Sequence, residues 1–326
     1  MGRHVLVLRF AALGDVATMS SVLMRRAALN PDCQFTILTH PMLMPLFSGA
    51  SNVRAVPMDK SLGIWRIFRD LNRLRPTHVV DGHNNLRTIC LRILFFMTGR
   101  KVVYLHKYRR SRRRLTRYEH KVLEPMIPWW RVYDRMLDKC GLAGGVRELP
   151  VLHAAEQKET YRIGVAPFAN YKGKIWPLQR MEEMVRRLSS GGRCRIYLFG
   201  GASDRQFLDG WAGEIQGVVN VAGTMSFADE LELIRSLDLM VSMDSANMHF
   251  ASWAGVPVVS VWGATHPYAG FYGWCQDPDW AVQCSMPCRP CSTNGSGGCL
   301  RGDYACMNAV TVDMVMDKVR SVLPGV

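Results

Sequence analysis

The sequence predicts an α/β protein made of two doubly wound, Rossmann-like halves. Three observations carry this. Short apolar runs rich in Val, Ile and Leu alternate with helical segments along most of the chain, the mark of parallel sheets with crossover helices. The alternation stops at AGGVRELPVLHAAEQKET, residues 143–160, where Gly, Pro and charges mix as in a linker, and restarts beyond it. At 326 residues the chain is also about twice the usual domain length. The boundary is therefore placed so that residues 1–150 form one domain and 151–326 the other.

Taken in order, HVLVLRF (4–10) reads as a buried strand and LGDVATMSSVLMRRAALN as the helix after it. QFTILTH (34–40), a short helix near PMLMPLF, NVRAVPMD (52–59), an amphipathic helix from Leu62 to Leu74 and HVVDG (78–82) continue the pattern. NNLRTICLRILFFM is the next helix and KVVYLH (101–106) the fifth strand. A less regular helical region follows, broken by Pro125 and Pro128 and ending near Gly141.

In the second half, YRIGVAPF (161–168) is a strand and WPLQRMEEMVRRLSS (176–190) a helix, with Pro177 in its first turn, where proline is tolerated. CRIYLFGG (194–201), a helix from Asp204 to Ile215, VVNVAG (218–223), SFADELELIRSL (226–237) and LMVSMD (239–244) repeat the alternation. A short helix, VPVVSVWGAT (256–265), a Cys- and Gly-rich irregular segment and a last helix over 312–323 complete it. Whether that last helix returns to the N-terminal domain is left open. Two such halves are expected to face a shared cleft, because ligands of open α/β sheets bind outside the carboxyl ends of the strands.

Composition limits the function. Hydrophobic residues at 48% and charged ones at 21% describe a folded globular chain. ILFFM (93–97) and VPVVSVW (256–262) are far shorter than the roughly 20 residues of a membrane span. The basic start MGRHVLVLRF lacks a small-residue cleavage site, so a cytoplasmic protein is expected. Net charge is +14, and HKYRRSRRRLTRYEHK (106–121) sets eight Lys and Arg residues against the single Glu119. Such a run expects a polyanion. Nucleic acid is disfavoured, since only Tyr104, Tyr108 and Tyr118 stand near as stacking platforms.

Three stretches carry candidate chemistry. In MDSANMHFASWAGVPVVSVWGATHP (243–267) a buried strand delivers Asp244 and Ser245, and small residues open a short helix. Backbone N–H groups there can approach a phosphate, with Ala246 leaving room and His249 adding a donor. The plainer alternative is a capping Asp or Ser and a core histidine. In RFAALGDVATMS a strand ends at Arg9 and Phe10, and Gly14 eases a turn that sets Asp15 at a helix start, where a general base or a simple cap would sit. In APFANYKGKIWPLQRM (166–181) a loop carries Lys172 and Lys174 beside a helix N-terminus, suited to a diphosphate or merely solvated.

These three stretches, in this order, resemble the motifs of glycosyltransferase family 9, the family of the ADP-heptose lipopolysaccharide heptosyltransferases. The resemblance implies a GT-B fold, with an N-terminal acceptor domain, a C-terminal nucleotide-sugar domain and inverting transfer without metal or other cofactor. By motif position Asp15 resembles the catalytic base and Lys174 the lysine that steadies the diphosphate leaving group. Asp244 resembles the carboxylate on the donor sugar, and Ser245, Ala246 and His249 fall in the phosphate-binding turn, with Lys172 close by. The implied partners are a nucleotide diphosphate sugar donor, an anionic glycolipid acceptor and the inner-leaflet membrane surface. The implied location is the cytoplasm, peripherally on the inner membrane of a Gram-negative type of bacterium.

On the acceptor side the expected residues are Arg9, His83 and the arginines Arg109, Arg110, Arg112, Arg113 and Arg114, which would meet lipid A phosphates, Kdo carboxylates or headgroups. There are departures. Ala11 and Ala12 stand where serines are usual, and Phe168 and Ala169 where threonines are usual. DGHNNLRT (81–88) is also atypical, its asparagines reading as helix caps. Cys33, Cys90, Cys140 and Cys194 read as scattered thiols. Cys284, Cys288, Cys291, Cys299 and Cys306 could furnish a structural zinc site, although packed thiols are the default in a reducing compartment. The alternatives kept open are another donor sugar on the same scaffold, a nucleotide-sugar epimerase of similar fold, and a non-catalytic anion- or membrane-binding module.

Overall fold

The computed structural model describes residues 2–146 and 148–326. In chain order the elements are β1 (His4–Leu8), α1 (Leu13–Ala28), β2 (Gln34–Thr39), β3 (Val53–Pro57), α2 (Ile64–Asn72), β4 (His78–Asp81), α3 (Leu86–Met97) and β5 (Lys101–Tyr104). α4 (Arg109–Thr116) and α5 (Trp129–Asp138) follow. The second series is β6 (Tyr161–Ala166), α6 (Leu178–Ser190), β7 (Cys194–Leu198), α7 (Arg205–Glu214), β8 (Val218–Asn220), α8 (Phe227–Arg235), β9 (Leu239–Met243), α9 (Ala246–Ala254), β10 (Val258–Trp262) and β11 (Ala281–Gln283). Two helices close the chain, α10 (Ala305–Asn308) and α11 (Val312–Val322).

The residues group into two units, Met1–Lys107 with Ile127–Leu149, and Tyr108–Met126 with Pro150–Val326. The first holds a five-stranded sheet of order β3-β2-β1-β4-β5, the second a six-stranded sheet of order β11-β10-β9-β6-β7-β8. All the pairings are parallel. Their central strands are buried on both faces, as HVVD, LMVSM and VVSVW show, and so read as continuous apolar runs rather than alternating ones.

Strand order reverses between β1 and β4 in the first sheet and between β6 and β9 in the second. These switch points open a crevice at the carboxyl ends of the two strands. Arg9 and Asp15 follow β1 and His83 follows β4; Lys172 and Lys174 follow β6 and Asp244 follows β9. The topology thus gathers the candidate residues at both switch points.

Four details differ from the sequence reading. PMLMPLF forms a 3-10 helix, because Pro45 inside it cannot donate the hydrogen bond that α geometry needs. The basic run itself forms a helix, α4, and the helical region expected beyond it is confined to α5, with Pro128 as its N-cap. The Cys-rich segment begins after a short strand, β11, which pairs with β10. The stretch Tyr108–Met126 groups with the second unit, whereas the boundary at residue 150 had placed it in the first. Its attachments are a bond from the Met126 N–H to the Tyr268 carbonyl at 2.8 Å and bonds from Lys121 Nζ to the carbonyls of Cys288 and Pro290 at 2.6 and 2.9 Å.

The last helix packs on α6, β10 and β11, all in the second unit. Trp176, fully buried, ties the lysine loop to this same end of the chain through a 3.0 Å bond from its indole N–H to the Val310 carbonyl. In the first unit Asn85 caps α3: its side chain accepts from the Thr88 N–H while Thr88 Oγ1 accepts from the Asn85 N–H, both at 3.0 Å. Gly255, at φ 78°, ends α9 in the left-handed conformation that a helix C-terminus favours.

Candidate active site

In the first unit the Asp15 carboxylate is held from two sides. Arg9, 6% exposed, forms an ion pair with Oδ2, and the Tyr133 hydroxyl donates to Oδ1 at 2.9 Å. The Arg9 guanidinium also donates to the Gly82 carbonyl and lies 5.7 Å from the Tyr133 ring centre. Burial opposes the charge on Arg9, but Asp15, Tyr133 and Asp81 outweigh it and hold the guanidinium above its ordinary value. Its Nε is buried with no hydrogen-bond partner. Ala12, the N-cap of α1, makes no side-chain cap, so Asp15 stands in the first turn engaged with Arg9 and Tyr133.

His83 stacks on Phe10 with ring centres 4.2 Å apart. Burial, reinforced by Arg9, lowers its imidazole from the ordinary 6.5 to about 4. The ring is therefore neutral at physiological pH, and its buried Nδ1 has no partner. Asp81 fixes the turn that carries it, accepting from the N–H groups of His83 and Asn84 at 3.1 and 2.7 Å and pairing with Arg92 at 3.3 Å. The Asn84 side chain donates to the Leu105 carbonyl at 2.8 Å, while Asn85 is the cap.

In the second unit Lys174 Nζ lies 3.0 Å from Asp244 Oδ2, with both side chains mostly buried. The Thr265 hydroxyl donates to the same carboxylate oxygen at 2.7 Å. Gly173 lets this loop approach closely: a Cβ there would sit 2.7 Å from the Ala264 Cβ, and the Gly173 carbonyl accepts from the Ala264 N–H at 2.8 Å. Lys172 Nζ sits 5.3 Å from the Tyr304 ring centre.

Asp244 is committed to Lys174 and Thr265, and Ser245, the N-cap of α9, turns its hydroxyl to Ser242 at 3.1 Å instead of capping the helix. The first N–H groups of α9, at Ala246 and Asn247, therefore have no side-chain cap beside a lysine, the arrangement that receives a phosphate. His249 is buried one turn further on.

Arg289 organises the Cys-rich segment. It is 3% exposed and its guanidinium donates to the carbonyls of Trp262, Gly263, Thr265 and Cys284. It thereby props the turn that presents Thr265 to Asp244. Among the described residues no three His, Cys, Asp or Glu side chains are grouped to hold a metal ion. Burial pushes the Cys306 thiol up to about 11. Burial also acts to raise the Cys299 thiol, but the N–H groups of Tyr304, Arg301, Gly302 and Asp303 together outweigh it and hold it below its ordinary value.

Along α4, Leu115 is the buried residue. Arg109, Arg110, Arg113 and Arg114 are exposed, whereas Arg112 turns inward with its guanidinium 5.5 Å from the Phe271 ring centre. Sequence reasoning missed Tyr133, Thr265 and Arg289. Thr265 lay inside a quoted motif, Arg289 between two cysteines, and Tyr133 carried no local signal.

Residues 146–296 match the family model for glycosyltransferase family 9 (heptosyltransferase). This stretch, a little under half of the chain, is therefore similar to glycosyltransferase family 9. Among curated proteins, the lipopolysaccharide core heptosyltransferase OpsX of Haemophilus influenzae is 20% identical over 289 residues, covering 81% of this chain and 80% of its own. Among solved structures, the E. coli ADP-heptose LPS heptosyltransferase II superposes with a TM-score of 0.70 at 17% identity, covering 98% of both chains. The E. coli heptosyltransferase WaaC with ADP does so with a TM-score of 0.69 at 15% identity, covering 97% of this chain and 99% of its own. The matched domain is that of a glycosyltransferase, and the two parallel sheets have the GT-B fold.

Proposed function

We propose that this family 9 enzyme transfers a heptose, with inversion, from ADP-heptose to an anionic glycolipid acceptor of the lipopolysaccharide core. The observation that carries the reading is Lys174 paired to Asp244 directly before the uncapped start of α9, at the carboxyl ends of the strands flanking the second sheet's switch point. That the WaaC structure was solved with ADP supports adenine as the base. On this reading the first unit takes mainly the acceptor and the second the donor, with the arginines of residues 109–114, which group with the second unit, also serving the acceptor.

The steps balance without a separate cofactor. The acceptor hydroxyl gives its proton to Asp15 as its oxygen attacks the anomeric carbon. The bond from that carbon to the diphosphate oxygen breaks, and the electron pair leaves on the diphosphate. Lys174, Lys172 and the first N–H groups of α9 stabilise the growing negative charge. Asp244, once Lys174 turns to the diphosphate, is released to accept from donor-sugar hydroxyls while Thr265 keeps it oriented. Arg9 and Tyr133 hold the base carboxylate, and neutral His83 offers a ring nitrogen to the acceptor. Exposed Arg109, Arg110, Arg113 and Arg114 meet phosphates of the acceptor at the cytoplasmic face of the inner membrane.

Calorimetry with ADP, UDP and GDP in the presence of a chelator tests the donor half. ADP should bind preferentially, and Lys174→Ala should weaken it by about 10- to 100-fold, the worth of a charge-assisted bond. Absence of binding by every nucleotide would overturn the reading.

A further inference from the structure

Among the described residues the outer face of α3 has no partner. Thr88, Leu91 and Phe95 form its inner, buried stripe. Leu86, Cys90, Ile93 and Met97 recur at spacings of four, three and four on another face, and Leu86, Ile93 and Met97 are exposed by 78%, 50% and 76%. Phe96 beside them is 70% exposed. Apart from Arg87, Arg92 and Thr88 this helix is apolar, and a helix so rich in apolar residues is normally buried on most sides. Neighbouring α2 adds Trp65, also 70% exposed, whose ring packs edge-on to Phe68, which in turn packs edge-on to Phe95. The two helices thus present tryptophan, phenylalanine and aliphatic side chains from one layer.

The surroundings are cationic. Residues 59–101 carry nine Lys and Arg residues against three Asp, and one of those, Asp81, is buried and paired with Arg92. Lys60, Arg66, Arg69, Arg73 and Lys101 are exposed, with only Asp59 and Asp70 exposed among the acids of this stretch. Apolar and aromatic groups ringed by Lys and Arg suit the boundary between headgroups and acyl chains of an anionic bilayer, where the rings enter and the cations stay with phosphates. The exposed Lys and Arg outnumber the exposed Asp around these apolar side chains, which complements the anionic surface of a phospholipid leaflet.

We propose that the α2–α3 face is a monolayer-inserting surface that docks this enzyme on anionic phospholipid. It belongs to the first unit, whereas the α4 arginines, which act by charge alone, group with the second. It goes beyond the transfer reading and does not depend on it.

The test is co-sedimentation of the full chain with vesicles of phosphatidylcholine, alone or mixed with phosphatidylglycerol, at low and high salt. The wild type should bind the mixed vesicles and retain part of that binding at high salt, where charge contacts are screened. The variant Trp65→Ser/Ile93→Ser/Phe96→Ser, altered only at exposed positions, should lose the salt-resistant part and bind about tenfold or more weakly. Substituting Arg110 and Arg113 by Ser should spare it. Equal salt-resistant binding by wild type and triple variant overturns the proposal, as does a wild-type dimer in light scattering that the variant dissolves, which would assign the face to a second copy. Matching circular dichroism spectra and denaturant unfolding curves for wild type and triple variant report its folding. Vesicle binding without heptose transfer would sink the transfer reading alone; transfer without vesicle binding would sink this one alone.

Discussion

At the residue scale, the geometry around Asp15 separates chemistry from positioning. Its two oxygens are occupied differently, Oδ1 by the Tyr133 hydroxyl and Oδ2 by Arg9, so the carboxylate has a fixed plane. On the proposed mechanism, Asp15→Asn keeps the shape but loses the proton acceptor. Turnover should fall by about 10²- to 10⁴-fold, measured by release of nucleotide diphosphate, with calorimetric donor binding unchanged. Tyr133→Phe removes one orienting bond and should lower kcat by a smaller factor of about 10 while leaving KM for donor in place.

Two histidines give the pH dependence a sign. His83 and His266 both fall from 6.5 to about 4 in the folded chain, each mainly through burial, with Arg9 adding to it at the first and Arg289 and Lys121 at the second. The unfolded chain therefore binds more protons than the folded one between those values, and stability drains as pH falls through this window. His83→Gln and His266→Gln should each flatten that acid-side loss in denaturant titrations at stepped pH. Thiol reactivity is graded by the same physics. Cys299 should alkylate first with iodoacetamide near neutral pH, while Cys140, raised to about 12 by burial, should stay unlabelled until unfolding, as peptide mass mapping would show.

At the element scale, α4 shows how a charge run becomes a surface. Leu115 anchors the helix and Arg112 meets Phe271, which leaves Arg109, Arg110, Arg113 and Arg114 facing water. Exchanging Arg110 and Arg113 for Glu should raise KM for glycolipid severalfold at low salt, with the difference shrinking as salt is added and ADP affinity unmoved. The basic run was visible in composition, yet the inward turn of Arg112 was not, because it depends on an aromatic ring more than a hundred residues away. α9 was legible in the same partial way. Small residues at its start predicted an open N-terminus, but whether Asp244 or Ser245 caps it could not be read from spacing. The structure gives both side chains other partners, Lys174 with Thr265 and Ser242.

At the scale of the whole molecule, each sheet puts its candidate residues at a reversal of strand order, so that no helix blocks the strand ends there. Stability rests partly on buried charge. Arg26, fully buried in the first unit, is held by Asp134 at 2.7 Å and by Asp138, and Asp134 also accepts from the Val146 N–H at 2.8 Å. Asp134→Ala should cost about 3–5 kcal/mol in chemical denaturation, because it strands a buried guanidinium.

The amino-acid sequence by itself determined the alternation of strands and helices, the existence of two doubly wound halves and the loops bearing Asp15, Lys174 and Asp244. Each of these follows from local periodicity and turn chemistry, which neighbouring residues encode. Tertiary structure alone decided that Tyr133, 118 positions away, holds Asp15, that Arg289 props Thr265 against Asp244, and that residues 108–126 join the second unit. It also left one face of α3 uncovered. Such outcomes depend on which surfaces meet once the sheets are wound, and no short-range pattern in the chain specifies that.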